Sequence, residues 1–140
     1  NHDVIGPLRI GRQELESVAA REKQELLRRE SLFRRDRPPL AIDGRTVIVV
    51  DDGLATGSTM LAAIESIRAR KPAGIVLAVP VAPPDTCERF RREVTELVCL
   101  SSPAGFGAVG EWYDDFAQVS DREVIDLLHE AATRHTNADG

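Results

Sequence analysis

"VIVVDDGLATGST", residues 47–59, runs an apolar, β-branched segment into two carboxylates, then into a glycine-spaced loop that closes on hydroxyls. "TVIVV" (46–50) is apolar on both faces, the pattern of a central parallel strand. In an open parallel sheet, ligands bind beyond the carboxyl ends of the strands. Asp51 and Asp52 stand at that end. Behind them, Gly53 to Thr59 lead into the start of a helix, where unpaired amides and the helix dipole favour an anion. Gly57 lets the backbone approach a ligand closely, and Thr56, Ser58 and Thr59 add hydroxyl donors. The stretch therefore offers an anion cradle beside a carboxylate pair. A phosphorylated sugar suits both, with its hydroxyls and a bound Mg²⁺ satisfying the acids. A bare turn with a threonine cap does not explain two adjacent aspartates at the end of a fully apolar strand.

Working outward, the pattern alternates strands and helices. A helix is predicted over 58–70, with Met60, Leu61, Ile64 and Ile67 inward. "KPAG" ends it, and "IVLAVPV" (75–81) reads as the second strand. "APPD" opens a short helix over about 84–93, proline being tolerated in a first turn. "ELVCL" (96–100) is a third strand. Strand–helix–strand–helix–strand with short links means a parallel sheet with right-handed crossovers. Upstream, 12–35 reads as one long helix with Leu15, Val18, Ala19, Leu26 and Phe33 near a 3.6-residue period, stopped by "RPPL" (37–40). Glu25–Arg29 and Glu30–Arg34 are i,i+4 pairs in the favourable order. Its apolar stripe is thin, so the helix is expected to lean on missing chain or on a partner. Downstream, 101–118 is irregular and holds most of the aromatics. Ser120 and Glu123 then form a capping box ahead of a last helix with Val124, Ile125, Leu127 and Leu128 apolar, and "TRHTNADG" frays.

The 140 residues suit one domain, divided here into an N-terminal helical segment (1–40), a parallel βαβαβ core (41–100) and an irregular aromatic tail with a C-terminal helix (101–140). Residues 1–40 carry a net charge of +2 and residues 41–140 one of −7, together the −5 of the whole. An acidic body argues against a nucleic-acid partner, which needs a basic footprint. Arg28, Arg29, Arg34, Arg35 and Arg37 read as a solvated helix end. No apolar run approaches the roughly 20 residues of a membrane span, so no membrane partner is expected. Cys87 and Cys99 lack CxxC spacing, and a reducing cytoplasm is the expected setting. His2, His129 and His135 lie near the ends and read as solvated. No Ser/His/Asp set is apparent. The chain opens Asn1-His2-Asp3 rather than on methionine, which leads us to expect a cleaved or excised piece with chain missing upstream.

Known phosphate loops fail on this stretch. A Walker A loop needs GK[ST], and Gly57 is followed by serine; a dinucleotide fingerprint needs GxGxxG, and only Gly53 and Gly57 are present. A receiver domain would want an aspartate ending a later strand, where this chain has Val81-Ala82-Pro83. What "VIVVDDGLATGST" does resemble is the 5-phosphoribosyl-1-pyrophosphate (PRPP) signature of type I phosphoribosyltransferases: an apolar strand, two acids and a loop ending T-G-x-T. Beyond it, "RPPL…VDDGLATGSTM…AVPVAPPDTC…VCLSSP…AVGEWYDDFAQVSD" resembles the C-terminal portion of predicted bacterial phosphoribosyltransferases. Those occur alone or fused to α/β-hydrolase-like or erythromycin-esterase-like domains.

The resemblance implies an α/β, three-layer parallel sheet of the PRPP-binding fold, lacking its N-terminal part. It implies that Asp51 and Asp52 hold the ribose 2′- and 3′-hydroxyls, directly or through Mg²⁺-bound water. Ala55, Thr56, Gly57, Ser58 and Thr59 would wrap the 5′-phosphate. Pyrophosphate would leave the anomeric carbon as a nitrogenous base takes or gives up ribose 5-phosphate. The family's terminal hood grips the base, which makes Trp112, Tyr113 and Asp114 candidates, with Asp115 an alternative; Phe106 and Phe116 read better as packing. A homodimer, or association with a missing N-terminal segment, is also implied. Two departures stand against this pattern. Ala55 occupies a place where some purine-salvage members carry an acid. The family's pyrophosphate loop has no match upstream, where 12–35 takes the place of the mobile catalytic loop. Poor turnover is therefore expected of this piece alone. A non-catalytic PRPP- or nucleotide-sensing module, or a docking domain of a larger protein, is the alternative.

Overall fold

The computed structural model describes residues 12–34 and 39–136, with side chains over 17–34 and 39–131. Expectations for His2, Arg35, Arg37, the opening residues and the side chains of Leu15 and His135 lie outside that set. The chain divides into two units, Leu40–Phe116 and the pair of terminal segments ending at Pro39 and beginning at Ala117.

Leu40–Phe116 holds the sheet. Strand β1 is Thr46–Val50, β2 is Gly74–Val81 and β3 is Glu96–Ser101, in the order β1-β2-β3 and all parallel. β1 registers Thr46 on Gly74 through Val50 on Ala78, and β3 registers Val98 on Ala78. The crossovers run through helices Ser58–Arg68 and Pro84–Arg91, which we number α2 and α3 after the N-terminal helix α1, Arg12–Arg34. Two crossovers of one hand between strands laid down in one direction place both helices on the same face. Burial follows. Ile75, Leu77, Val79 and Val81 alternate along β2 as the buried face, and the first three share a core with Met60 and Ile64 of α2 and Cys87 and Phe90 of α3. Each of the fully buried Ile64, Leu77 and Phe90 contributes about 1.5–3 kcal/mol of transfer free energy. Leu61 and Ile67 pack at the margin of this core.

The opposite face departs from expectation. β1 is a margin of the described sheet, with β2 in the middle. Ile48 and Val50 are 66% and 72% exposed, and Leu100 on β3 is 81% exposed. A strand apolar on both faces is expected at the centre of a sheet. In the described residues its second apolar row is left bare, because neither crossover helix lies on that side.

Periodicity also overruns the helix ends. α2 stops at Arg68 because Arg70 and Lys71 donate to the carbonyls of Ile67 and Arg68 in tight i→i−3 turns. Lys71 takes a left-handed φ of 53° and Pro72 follows. α3 ends at Arg91 in the same way, with Arg92 and Glu93 donating to Arg89 and Phe90.

In the terminal unit, α1 pairs with helix α4, Asp121–Thr136. The capping box is present: Ser120 N–H donates to the Glu123 carboxylate at 2.9 Å and Glu123 N–H to the Ser120 hydroxyl at 3.3 Å. The Ser120 hydroxyl also donates to that carboxylate at 2.6 Å, and this bond, followed by the one from Ser120 N–H, holds the Glu123 carboxyl below its ordinary range. The expected Glu25–Arg29 and Glu30–Arg34 pairs form at 2.9 and 3.5 Å. Arg28 also bonds Glu25 and crosses to Asp121 at 3.0 Å. The support for the thin helix therefore includes a partner 93 residues away in the same chain. Val18, Leu26 and Leu27 remain exposed.

Candidate functional site

β1 hands its last bond to the loop: Asp51 N–H donates to Ala78 O at 3.3 Å. Asp52 N–H then turns back onto the Asp51 carboxylate at 3.0 Å. Both aspartates are exposed. Leu54, 3% exposed, plugs the middle of the loop into the core, and its N–H donates to Val81 O at 3.0 Å. Beyond it Gly57 sits at the head of α2 with φ 68°, the left-handed region. A Cβ there would lie 2.4 Å from the Phe90 ring, so both conformation and space demand glycine.

α2 begins with its N-terminus open. No side chain caps it, its first turn holds no acid, and the Leu61-to-Gly57 bond is its first helical closure. The amides of its first turn lack intrahelical acceptors. Residues of that turn border a cleft of roughly 190 Å³ lined by Asp51 and by Gly53, Leu54, Ala55, Thr56, Gly57, Ser58, Thr59 and Met60. The Thr56 and Ser58 hydroxyls lie 3.4 Å apart, in hydrogen-bonding reach. The cleft can thus accept an anion at the helix start, with a carboxylate at its rim.

The aromatic tail is drawn to this loop. A 3₁₀ turn, Val109–Trp112, lays Val109 against Gly53, where a Cβ would come within 2.7 Å of it. Tyr113 donates its hydroxyl to the Asp52 carbonyl at 2.6 Å. Its ring lies 5.1 Å from that of Phe116 at a 41° tilt. Trp112 and Asp114 are exposed, Phe106 is half-buried, and none of these three lines the cleft. Phe116 is 49% exposed but packs on Gly110. His129 is exposed. Two residues that the sequence did not single out also touch the loop, Thr86 and Arg89 of α3. The available signal was topological, since the β2–α3 junction must lie beside the β1–α2 junction in a parallel sheet.

The family model for the phosphoribosyl transferase domain matches residues 7–115. Two Mycobacterium tuberculosis proteins provisionally named phosphoribosyl transferase are each 41% identical over 131 residues, 94% of this chain. The chain spans 30% of the length of those relatives. A uracil phosphoribosyltransferase of Kineococcus radiotolerans is 35% identical over 85 residues, covering 61% of this chain and 31% of that protein. The crystal structure of TT1426 from Thermus thermophilus superposes with a TM-score of 0.73 at 44% identity, over 88% of this chain and 59% of that one. With a βαβαβ parallel sheet and the acid-pair loop at its carboxyl edge, the chain belongs to the type I phosphoribosyl transferase family.

Proposed function

We propose that the cleft binds PRPP and that the protein transfers ribose 5-phosphate to or from a nitrogenous base, releasing pyrophosphate. The observation that carries this is the uncapped start of α2 sharing one cleft with Asp51. Ala55, Thr56, Gly57, Ser58 and Thr59 receive the 5′-phosphate on backbone amides and hydroxyls. Asp51 and Asp52 hold the ribose hydroxyls and stand where positive charge develops on the sugar as the anomeric bond breaks.

The residues fit a Mg²⁺ ion in a particular sense. Among the described residues no group of three His, Cys, Asp or Glu side chains is arranged to cage a metal. Mg²⁺ is ordinarily held by one or two carboxylates plus substrate phosphates, keeping several waters. Asp51 and Asp52 would be those carboxylates, and the ion would offset charge on the departing pyrophosphate. Trp112 and Asp114 stay available to a base. Tyr113 joins them through its ring while its hydroxyl tethers the tail to the acid pair. Uracil is the first base to test, on the strength of the Kineococcus relative.

Free thiols at Cys87 and Cys99 support a reducing, cytoplasmic setting. Burial and the nearby Cys87 push the Cys99 thiol up. No helix among the described residues is long and apolar enough to cross a membrane. The bare row Ile48, Val50, Val98 and Leu100 supports the expected homodimer. Titration calorimetry of the protein with PRPP and Mg²⁺ tests the ligand. Saturable binding, weakened at least tenfold in Asp51→Asn/Asp52→Asn, is expected; no binding, or an unaltered double variant, defeats the proposal. A sensing module is favoured by one observation, the lack of an acid at Ala55. It predicts binding without pyrophosphate release from any base.

A further inference from the structure

We propose that Thr86 and Arg89, outside the acid-pair motif, are positioning residues that set the phosphate affinity of the loop by fixing two of its peptide planes. The inference rests on reading the cleft as a phosphate site. The Thr86 hydroxyl donates to the Ala55 carbonyl at 2.9 Å, and the Arg89 guanidinium donates to the Thr56 carbonyl. These are consecutive peptides. A peptide unit is planar and trans, so its N–H points opposite to its C=O, and the described chain contains no cis bond. Holding the Ala55 carbonyl toward α3 therefore turns the Thr56 amide away from α3. Holding the Thr56 carbonyl does the same for the Gly57 amide. The cleft is lined by the loop and the first turn of α2 and by no residue of α3, as suits amides turned away from that helix. Neither amide donates within the described residues.

The clamp has a reason to exist. The second of these peptides leads into glycine, whose broad conformational freedom makes a peptide flip cheap. A flip would turn a carbonyl dipole toward the cleft, where it would repel a phosphate. Thr86 is 9% exposed, a polar side chain in an otherwise apolar helix face, and the Ala55 carbonyl is the acceptor for its hydroxyl. Arg89 lies over the Phe90 ring, 5.1 Å from its centroid, which keeps the guanidinium beside Gly57. Its charge also supplies the cation that the acid-pair motif itself lacks.

The test is ribose 5-phosphate titrated into the full chain, read by amide ¹H–¹⁵N spectra, with ribose as the phosphate-free probe. In the wild type, the Thr56 and Gly57 amides should shift on saturation with ribose 5-phosphate. Thr86→Val should weaken ribose 5-phosphate by about fivefold to tenfold, the scale of one lost net hydrogen bond, and abolish the Thr56 shift. Thr86→Ser, which keeps the hydroxyl, should restore affinity to within about twofold of wild type. Arg89→Met should weaken affinity by a similar factor and remove the Gly57 shift, with ribose affinity unaltered in all variants. Because Arg89 is exposed, that arm carries the test if Thr86→Val does not fold. Variants that melt at lower temperature but bind ribose 5-phosphate as the wild type does overturn the inference alone. A wild type that does not bind ribose 5-phosphate overturns the phosphate reading of the cleft, and the inference with it.

Discussion

Replacing Gly57 with alanine should be among the most damaging single-methyl changes in this chain. Two costs add. A non-glycine residue held at φ 68° pays about 1–2 kcal/mol for the left-handed backbone. The new Cβ would also lie 2.4 and 2.8 Å from Phe90 Cε2 and Cζ, and 3.0 Å from an Arg89 nitrogen. Arg89 can swing aside, but Phe90 is fully buried, so its ring must move inside a packed core. Overpacking of that kind costs about 1–3 kcal/mol. The expected loss is thus about 2–5 kcal/mol by equilibrium urea denaturation, the sum of those ranges. A double-mutant cycle with Phe90→Leu separates the parts. In the leucine background the penalty should fall to about 1–2 kcal/mol, the backbone share alone. A Gly57→Ala loss below about 1 kcal/mol, or a penalty that Phe90→Leu leaves intact, would refute the argument.

Tyr113→Phe removes the 2.6 Å bond to the Asp52 carbonyl and should cost about 1 kcal/mol in urea denaturation. It should also loosen the tail, seen as faster amide exchange across Val109–Trp112. In the terminal unit, bonds from Arg28 and Arg29 hold the Glu25 carboxyl at about 2, well below its ordinary 4.5. That support is therefore complete above about pH 4.5 and is lost as pH falls through about 2. Acid titration of α-helical circular dichroism should show the loss in the wild type, and Glu25→Gln should remove that part of the transition.

What was legible in the sequence was what neighbours along the chain decide. The five-residue β1, the Ser120–Glu123 capping box and the i,i+4 pairs of α1 depend on residues a turn or less apart, and all are present. The acid pair and the open helix start were legible for the same reason. Less legible was anything settled by a distant partner. Periodicity could show that β1 is apolar on both faces but not that one face lies bare in the described residues. The tail could be read as aromatic, yet nothing local joins Tyr113 to a carbonyl 61 residues earlier. Thr86 and Arg89 were not legible because their bonds go to main-chain carbonyls, which have no sequence signature.

Leu54 has a consequence for how the loop would meet a ligand. Sunk to 3% exposure midway through the loop and tied to Val81, it fastens the segment between its two working ends. A loop already held in one shape loses little freedom when occupied, so little of the contact energy is spent on ordering. Capture should then resemble a rigid receptor closing on nothing, with association governed by diffusion and charge rather than by loop rearrangement.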